Sequence, residues 1–145
     1  MAQYETPRAG AYATADRSGQ PVINDHVYVL PAGLVNGDLV KIGELPAHHQ
    51  LLPELSAVFA LADGAAQLAA CNIDIFIGDA QVTANTVVDN LAVTADTEAR
   101  TALSTHLPSY KLGTSPVNRS IWVLFNTAPA AAEGSLVFRA ASFTK

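Results

Sequence analysis

Residues 38–62 carry the feature that most constrains this chain. Two apolar runs are held apart by a connection with a proline at each end. Pro46 and Pro53 lack the amide hydrogen that a sheet ladder needs, so they bracket the connection and do not sit mid-strand. The first run, Leu39–Leu45, mixes apolar residues with Lys41 and Glu44. The second, residues 55–62, is interrupted only by Ser56 and fits a strand covered on both faces. Such a stretch belongs to a β-domain, and it carries no catalytic signature.

The remaining strands follow the same logic. Residues 27–30 form a short β-branched and aromatic run that ends at Pro31. Asn36-Gly37 tolerates positive φ at both positions, so it predicts a hairpin between this run and residues 39–45. In residues 72–78, Ile73, Ile75 and Ile77 alternate with Asp74 and Phe76, which predicts a strand with a buried isoleucine face. Residues 86–94 read as a strand interrupted at Asp89-Asn90. Thr97 caps, and Glu98 starts, a short helix over residues 97–103. Residues 120–126 form a strand containing Trp122, and residues 135–143 a last strand containing Arg139. These two are expected to pair as a hairpin. Seven or eight strands with at most one short helix predict an all-β fold, an antiparallel β-sandwich, with the jelly roll first among the candidates. Residues 1–24 lack apolar periodicity and read as an extended N-terminal arm ahead of a domain over residues 25–145. Tyr4 and Tyr12 stand out in that arm as anchors onto a neighbour.

Composition limits the partners. The 145 residues suit one domain. Charged residues make up 14%, against a usual share of about 25%. A charge-poor surface is expected where protein meets protein. The net charge of −5 and the eight scattered Lys and Arg give no footprint for a phosphate backbone, so nucleic acid is not expected as a ligand. No run approaches the ~18 apolar residues of a membrane span. Glu5, Pro7 and Arg8 interrupt what a signal peptide would keep apolar. Cys71 has no cysteine to pair with and no basic neighbour to activate it, so it is expected to be a buried small hydrophobe in a chain folded in a reducing compartment.

Candidate chemistry is thin. His48 and His49 are adjacent, so on a strand they would face opposite sides, unlike a metal-binding pair one residue apart. Asp63, Asp74 and Asp79 match no calcium-loop spacing and suit turn capping. Ser104, Thr105, His106 and Ser142 supply hydroxyls and an imidazole without a nucleophile elbow. Phosphate-loop and dinucleotide fingerprints are absent. Asp74 and Arg139 fit the solvent face of a half-exposed sheet. Trp122 fits the core or a subunit contact. With Tyr28 and Tyr110 it could also form a sugar-stacking platform. No enzyme activity, metal or cofactor is expected.

Several phrases together carry a resemblance. They are His-Val-Tyr-Val-Leu-Pro-Ala-Gly, Asn-Gly-Asp-Leu-Val-Lys-Ile-Gly-Glu-Leu-Pro-Ala, Ile-Asp-Ile-Phe-Ile-Gly-Asp, Asn-Arg-Ser-Ile-Trp-Val-Leu-Phe-Asn and Gly-Ser-Leu-Val-Phe-Arg-Ala. Over residues 27–141 the chain resembles the cement or decoration proteins of tailed bacteriophages, small virion proteins with a jelly-roll fold. The resemblance implies a non-catalytic protein made in the host cytoplasm. It would bind the outer capsid surface, bridge major capsid protein subunits and form homodimers or homotrimers. Tyr4 and Tyr12 in the arm, and His48, His49 and Gln50 in the proline-bounded connection, are the candidate partner-binding residues. A tail or head-fibre component and a carbohydrate-binding sandwich are the alternatives.

Overall fold

The computed structural model describes residues 3–5, 20–31, 33–61, 71–79, 82–93, 100–102, 113–129 and 135–144. Among them are ten strands: β1 (Gln3–Glu5), β2 (Pro21–Val29), β3 (Leu39–Leu45), β4 (His49–Leu51), β5 (Ala57–Leu61), β6 (Cys71–Ile77), β7 (Thr86–Val93), β8 (Arg100–Ala102), β9 (Arg119–Thr127) and β10 (Ser135–Thr144). A 3₁₀ turn at Thr83–Asn85 precedes β7. The first sheet runs β1-β3-β9-β6-β7. The second runs β2-β10-β5-β8, with β4 continuing the line of β5 along β10. All pairings are antiparallel except β1 on β3.

Set the short β1 and β4 aside, and the eight principal strands fall into order. One sheet holds the first, eighth, third and sixth, and the other the second, seventh, fourth and fifth. That is a jelly-roll sandwich. Its core lies between the sheets. Ile73, Ile75 and Ile77 of β6, Ile121, Val123 and Phe125 of β9, and Leu136 and Phe138 of β10 are all buried there. The alternation expected in β6 is present, and Cys71 extends the buried row as a free, buried thiol.

Both expected hairpins are corrected. β2 pairs with β10, not with β3, and β3 pairs with β9. The Asn36-Gly37 turn carries the chain from one sheet to the other. Gly37 takes φ +93° and donates its amide to the Phe125 carbonyl, so the turn is anchored on β9. Asn36 Oδ1 accepts the Ala128 amide, and Asp38 Oδ2 accepts the Val35 amide, which closes that end. β9 and β10 likewise lie in different sheets. Residues 100–102 form a strand on β5 where a helix over 97–103 was expected, while Thr97 and Glu98 lie outside the described residues. β2 starts at Pro21, four residues before the expected boundary at residue 25.

Two irregularities shape the sandwich. In β3 the register slips between Lys41 and Gly43. The His26 ring of β2 lies directly on Gly43, where a Cβ would overlap it, and it stacks on Phe138 with centroids 6.3 Å apart. Glycine therefore lets the two sheets approach across that imidazole. In β7, Asn90 adopts φ +54° beside a register shift against β6. Asparagine tolerates this left-handed conformation. The interruption expected at Asp89-Asn90 is thus a β-bulge within one strand.

Candidate functional site

The connection between Pro46 and Pro53 contains a strand. β4 pairs with β10, with His49 opposite Thr144 and Gln50 opposite Phe143. His49 is 2% exposed and Gln50 3%. This corrects their reading as surface contacts, because neither side chain faces solvent. His48 does, from a turn at φ +62°. The two histidines do face opposite sides, one outward and one inward. Tyr4 lies in β1, opposite Val40 in the parallel register. Tyr12, His106, Tyr110 and Asp63 lie outside the described residues.

His49 Nδ1 and Ser142 Oγ are 2.9 Å apart and both side chains are buried. A serine–histidine pair suggests nucleophilic chemistry. No substrate could reach this one, and it fastens β4 to β10. Ser56 does similar work one turn later. Its hydroxyl accepts the Ala141 amide at 3.0 Å and donates to the Leu52 carbonyl at 2.7 Å. It thereby bridges the gap in the ladder between β4 and β5. The lone polar residue of that apolar run is thus a splice in the sheet.

Burial pushes the pKa of both His26 and His49 below the ordinary histidine value, because a low-dielectric interior disfavours the imidazolium. It pushes the Cys71 thiol up to about 11, so Cys71 is inert as a nucleophile. Among the described residues, no group of three or more His, Cys, Asp or Glu could hold a metal ion. Nor is any described helix long and apolar enough to cross a membrane.

A tied corner surrounds His48. Its amide donates to the Ser115 carbonyl at 2.7 Å. The Ala47 amide donates to Asn118 Oδ1, and Asn118 Nδ2 donates to Glu44, which also pairs with Lys41. Arg119 Nη2 donates to the carbonyls of His49 and Gly113. Beside this corner lies an open cleft of about 640 Å³ whose lining includes Asp79, Asn85, Asn118, Arg119 and Trp122. Its polar groups are largely engaged within the chain, since Asn85 Nδ2 donates to the Asp79 carbonyl. Trp122 is half-buried on the outer face of the first sheet, between Lys41 and Phe76. It is not a core residue. Tyr28 is buried in the core against Phe125, so Trp122 and Tyr28 form no common platform.

The two outer faces differ. On the first sheet, Asp74 Oδ1 accepts the Asn90 amide at 2.6 Å and Asn126 Nδ2 at 2.8 Å. On the second sheet, Ile23, Val27 and Val29 of β2 point outward at 54%, 38% and 66% exposure. Between them Asp25 accepts Arg139 Nε at 2.7 Å and Nη2 at 2.9 Å. These hydrogen bonds hold Asp25 below the usual carboxylate range. The Arg139 guanidinium also lies 5.0 Å from the Phe59 ring centroid. Arg139 is therefore on a solvent face and paired as well.

This apolar stripe is the feature that sequence reasoning missed. Reading the strand over residues 27–30 left Ile23 outside it, whereas β2 begins at Pro21. The available signal was the unbroken run Val27-Tyr28-Val29-Leu30. Only alternate members of a strand can face the core, so such a run leaves apolar residues outside.

No family model matches the chain, and no curated protein sequence matches it. Among solved structures, a chain in the capsid of Ralstonia phage GP4 shares the fold, with a TM-score of 0.70 and 18% identity. The likeness covers 99% of this chain and 99% of that one.

Proposed function

We propose that this protein is a structural component of a bacteriophage virion, assembled with the capsid and without catalytic activity. The observation that carries the proposal is the jelly-roll likeness to a chain of a phage capsid, which spans essentially the whole length of both chains. The buried Ser142–His49 pair and the inert Cys71 fit a protein that works through its surfaces.

Within that reading, the chain acts as a cement protein on the outer capsid surface, bridging major capsid protein subunits and stiffening the shell. The stretch before β2 serves as an arm that docks on a neighbour, with Tyr4 and Tyr12 as its anchors and His48 at the exposed corner. Many copies on a symmetric shell gain avidity, so each contact needs only modest affinity. The engaged polar groups of the cleft beside Trp122 favour this reading over sugar binding.

The test is reconstitution. Purified protein is added to shells lacking it, and co-sedimentation is measured against the major shell protein. Saturable binding in a fixed ratio, with shells that then resist heat better, is expected. Absence of binding would refute the capsid assignment. Removing residues 1–19 takes β1 from the edge of β3 and leaves the eight principal strands intact. That variant should fold and fail to bind, and unchanged binding would take the arm out of the mechanism.

A further inference from the structure

Along β2, β5 and β10 the outer face of the second sheet is an apolar field with one charged spot. Ile23, Val27 and Val29 are exposed on it, and Phe59 and Phe143 are half-buried beside them. On β2, β5 and β10 the charged side chains are Asp25 and Arg139 alone. Exposed apolar fields of this kind mark interaction sites. We infer that this face seats a second copy of the same chain, packed face to face about a two-fold axis. The axis runs parallel to the strands, midway between β2 and β10.

The register selects this partner. In the antiparallel pairing of β2 with β10, Asp25 lies opposite Arg139, Val27 opposite Val137, Val29 opposite Ser135 and Ile23 opposite Ala141. A two-fold axis between the strands exchanges β2 and β10 and keeps each position along them. It therefore sets Asp25 of one copy over Arg139 of the other, twice. Around the axis the four charges alternate in sign. The exposed Val27 and Val29 of each copy meet the Val137–Ser135 segment of the other. The ion pair has capacity for this. Arg139 uses Nε and Nη2 within its own chain, and the N–H groups of Nη1 can donate to a second carboxylate. Such an interface is isologous, the commonest way for identical chains to associate.

Edge-to-edge pairing of two β2 strands is the competing arrangement. In the register centred on Asp25 it would match Ile23 with Val27 and Pro21 with Val29. It would also set Asp25 directly against Asp25, and like charges directly opposite each other destabilise a strand pair. Face packing turns the same carboxylates toward guanidinium groups.

Sedimentation equilibrium of the full chain tests the inference, with circular dichroism to show that each variant folds. The native chain is expected to be a dimer. Val29→Glu buries an unpaired carboxylate and should weaken association by more than about tenfold. Asp25→Arg alone and Arg139→Asp alone each give four charges of one sign and should be monomeric. An equimolar mixture of the two sets opposite charges against each other across the interface and should dimerise. Asp25→Asn should weaken the face-packed dimer, whereas it would tighten an edge-paired one. A native chain that stays monomeric overturns the inference. So does a mixture of folded single variants that fails to associate, or a tighter dimer for Asp25→Asn. A monomer that loses shell binding on Val29→Glu would also overturn it, and would give the face to the shell protein.

Discussion

Asp74 and Asp25 each lie on an outer face of the sandwich, Asp74 on an interior strand and Asp25 on an edge strand, and they are used differently. On the first sheet, Asp74 gathers the amide of Asn90 at the β7 bulge and the side chain of Asn126 on β9, stitching three strands together. On the second sheet, Asp25 is held by one arginine in a stripe of exposed aliphatic residues. The outermost long strands repeat the contrast. β7 ends its sheet with a bulge and with Asp89 and Asn90 facing solvent, which is how sheets discourage further pairing. β2 is regular along nine residues and apolar on its outer side. One face is finished by the chain itself, and the other is left for something else to cover.

Four experiments would break or sharpen that contrast. The largest effect belongs to the interior that both faces rest on. Gly43→Ala forces a methyl group into the His26 ring and should cost about 1–3 kcal/mol, read as a fall in melting temperature. An unchanged melting temperature would mean that this contact does not set the spacing of the sheets. The same region makes the fold acid-sensitive. Burial holds His26 and His49 below the ordinary histidine pKa, so the unfolded chain binds more protons once pH drops through about 6.5. Stability is full above that value and is lost as pH falls toward the folded-state pKa. A melting temperature that is flat or rises on acidification over this range would contradict that placement.

The direct comparison comes next. Asp74→Ala removes two hydrogen bonds from the finished face and should cost about 1–2 kcal/mol in urea denaturation. Asp25→Ala removes an exposed ion pair and should cost only a few tenths of a kcal/mol. Equal losses would erase the distinction between the faces. The smallest effect on stability is expected for Val27→Ser with Val29→Ser, within about 0.5 kcal/mol of the native chain. Their effect should appear instead in association. A double variant that melts well below the native chain would show these valines to be structural.

Much of the fold was legible because it depends on local pattern. The alternation of Ile73, Ile75 and Ile77 placed β6. The apolar runs placed β3, β9 and β10, and Asp89-Asn90 marked the bulge. Pairing was not legible. Consecutive strands usually neighbour one another, and here β6 and β7 are the one consecutive pair of described strands bonded to each other. Asn36-Gly37 has the composition of a hairpin turn, yet the Phe125 backbone claims it from across the chain. β4 was hidden by its length of three residues and its flanking prolines. His49 looked like a surface residue because histidine is polar, and its buried partner, Ser142, is 93 positions away. The burial of Gln50 follows from the same distant strand.

The place of β10 has a consequence for how the chain is made. This strand lies between β2 and β5, and it also carries β4. During synthesis every earlier strand leaves the ribosome before the one that joins them. Until Ser135–Thr144 emerges, β2 and β5 have no common neighbour, and the apolar stripe of β2 has no sheet to lie on. The second sheet cannot grow strand by strand as the chain lengthens. It closes only once Ser135–Thr144 has been made, so a chain stalled before residue 135 would expose the surfaces most prone to aggregate.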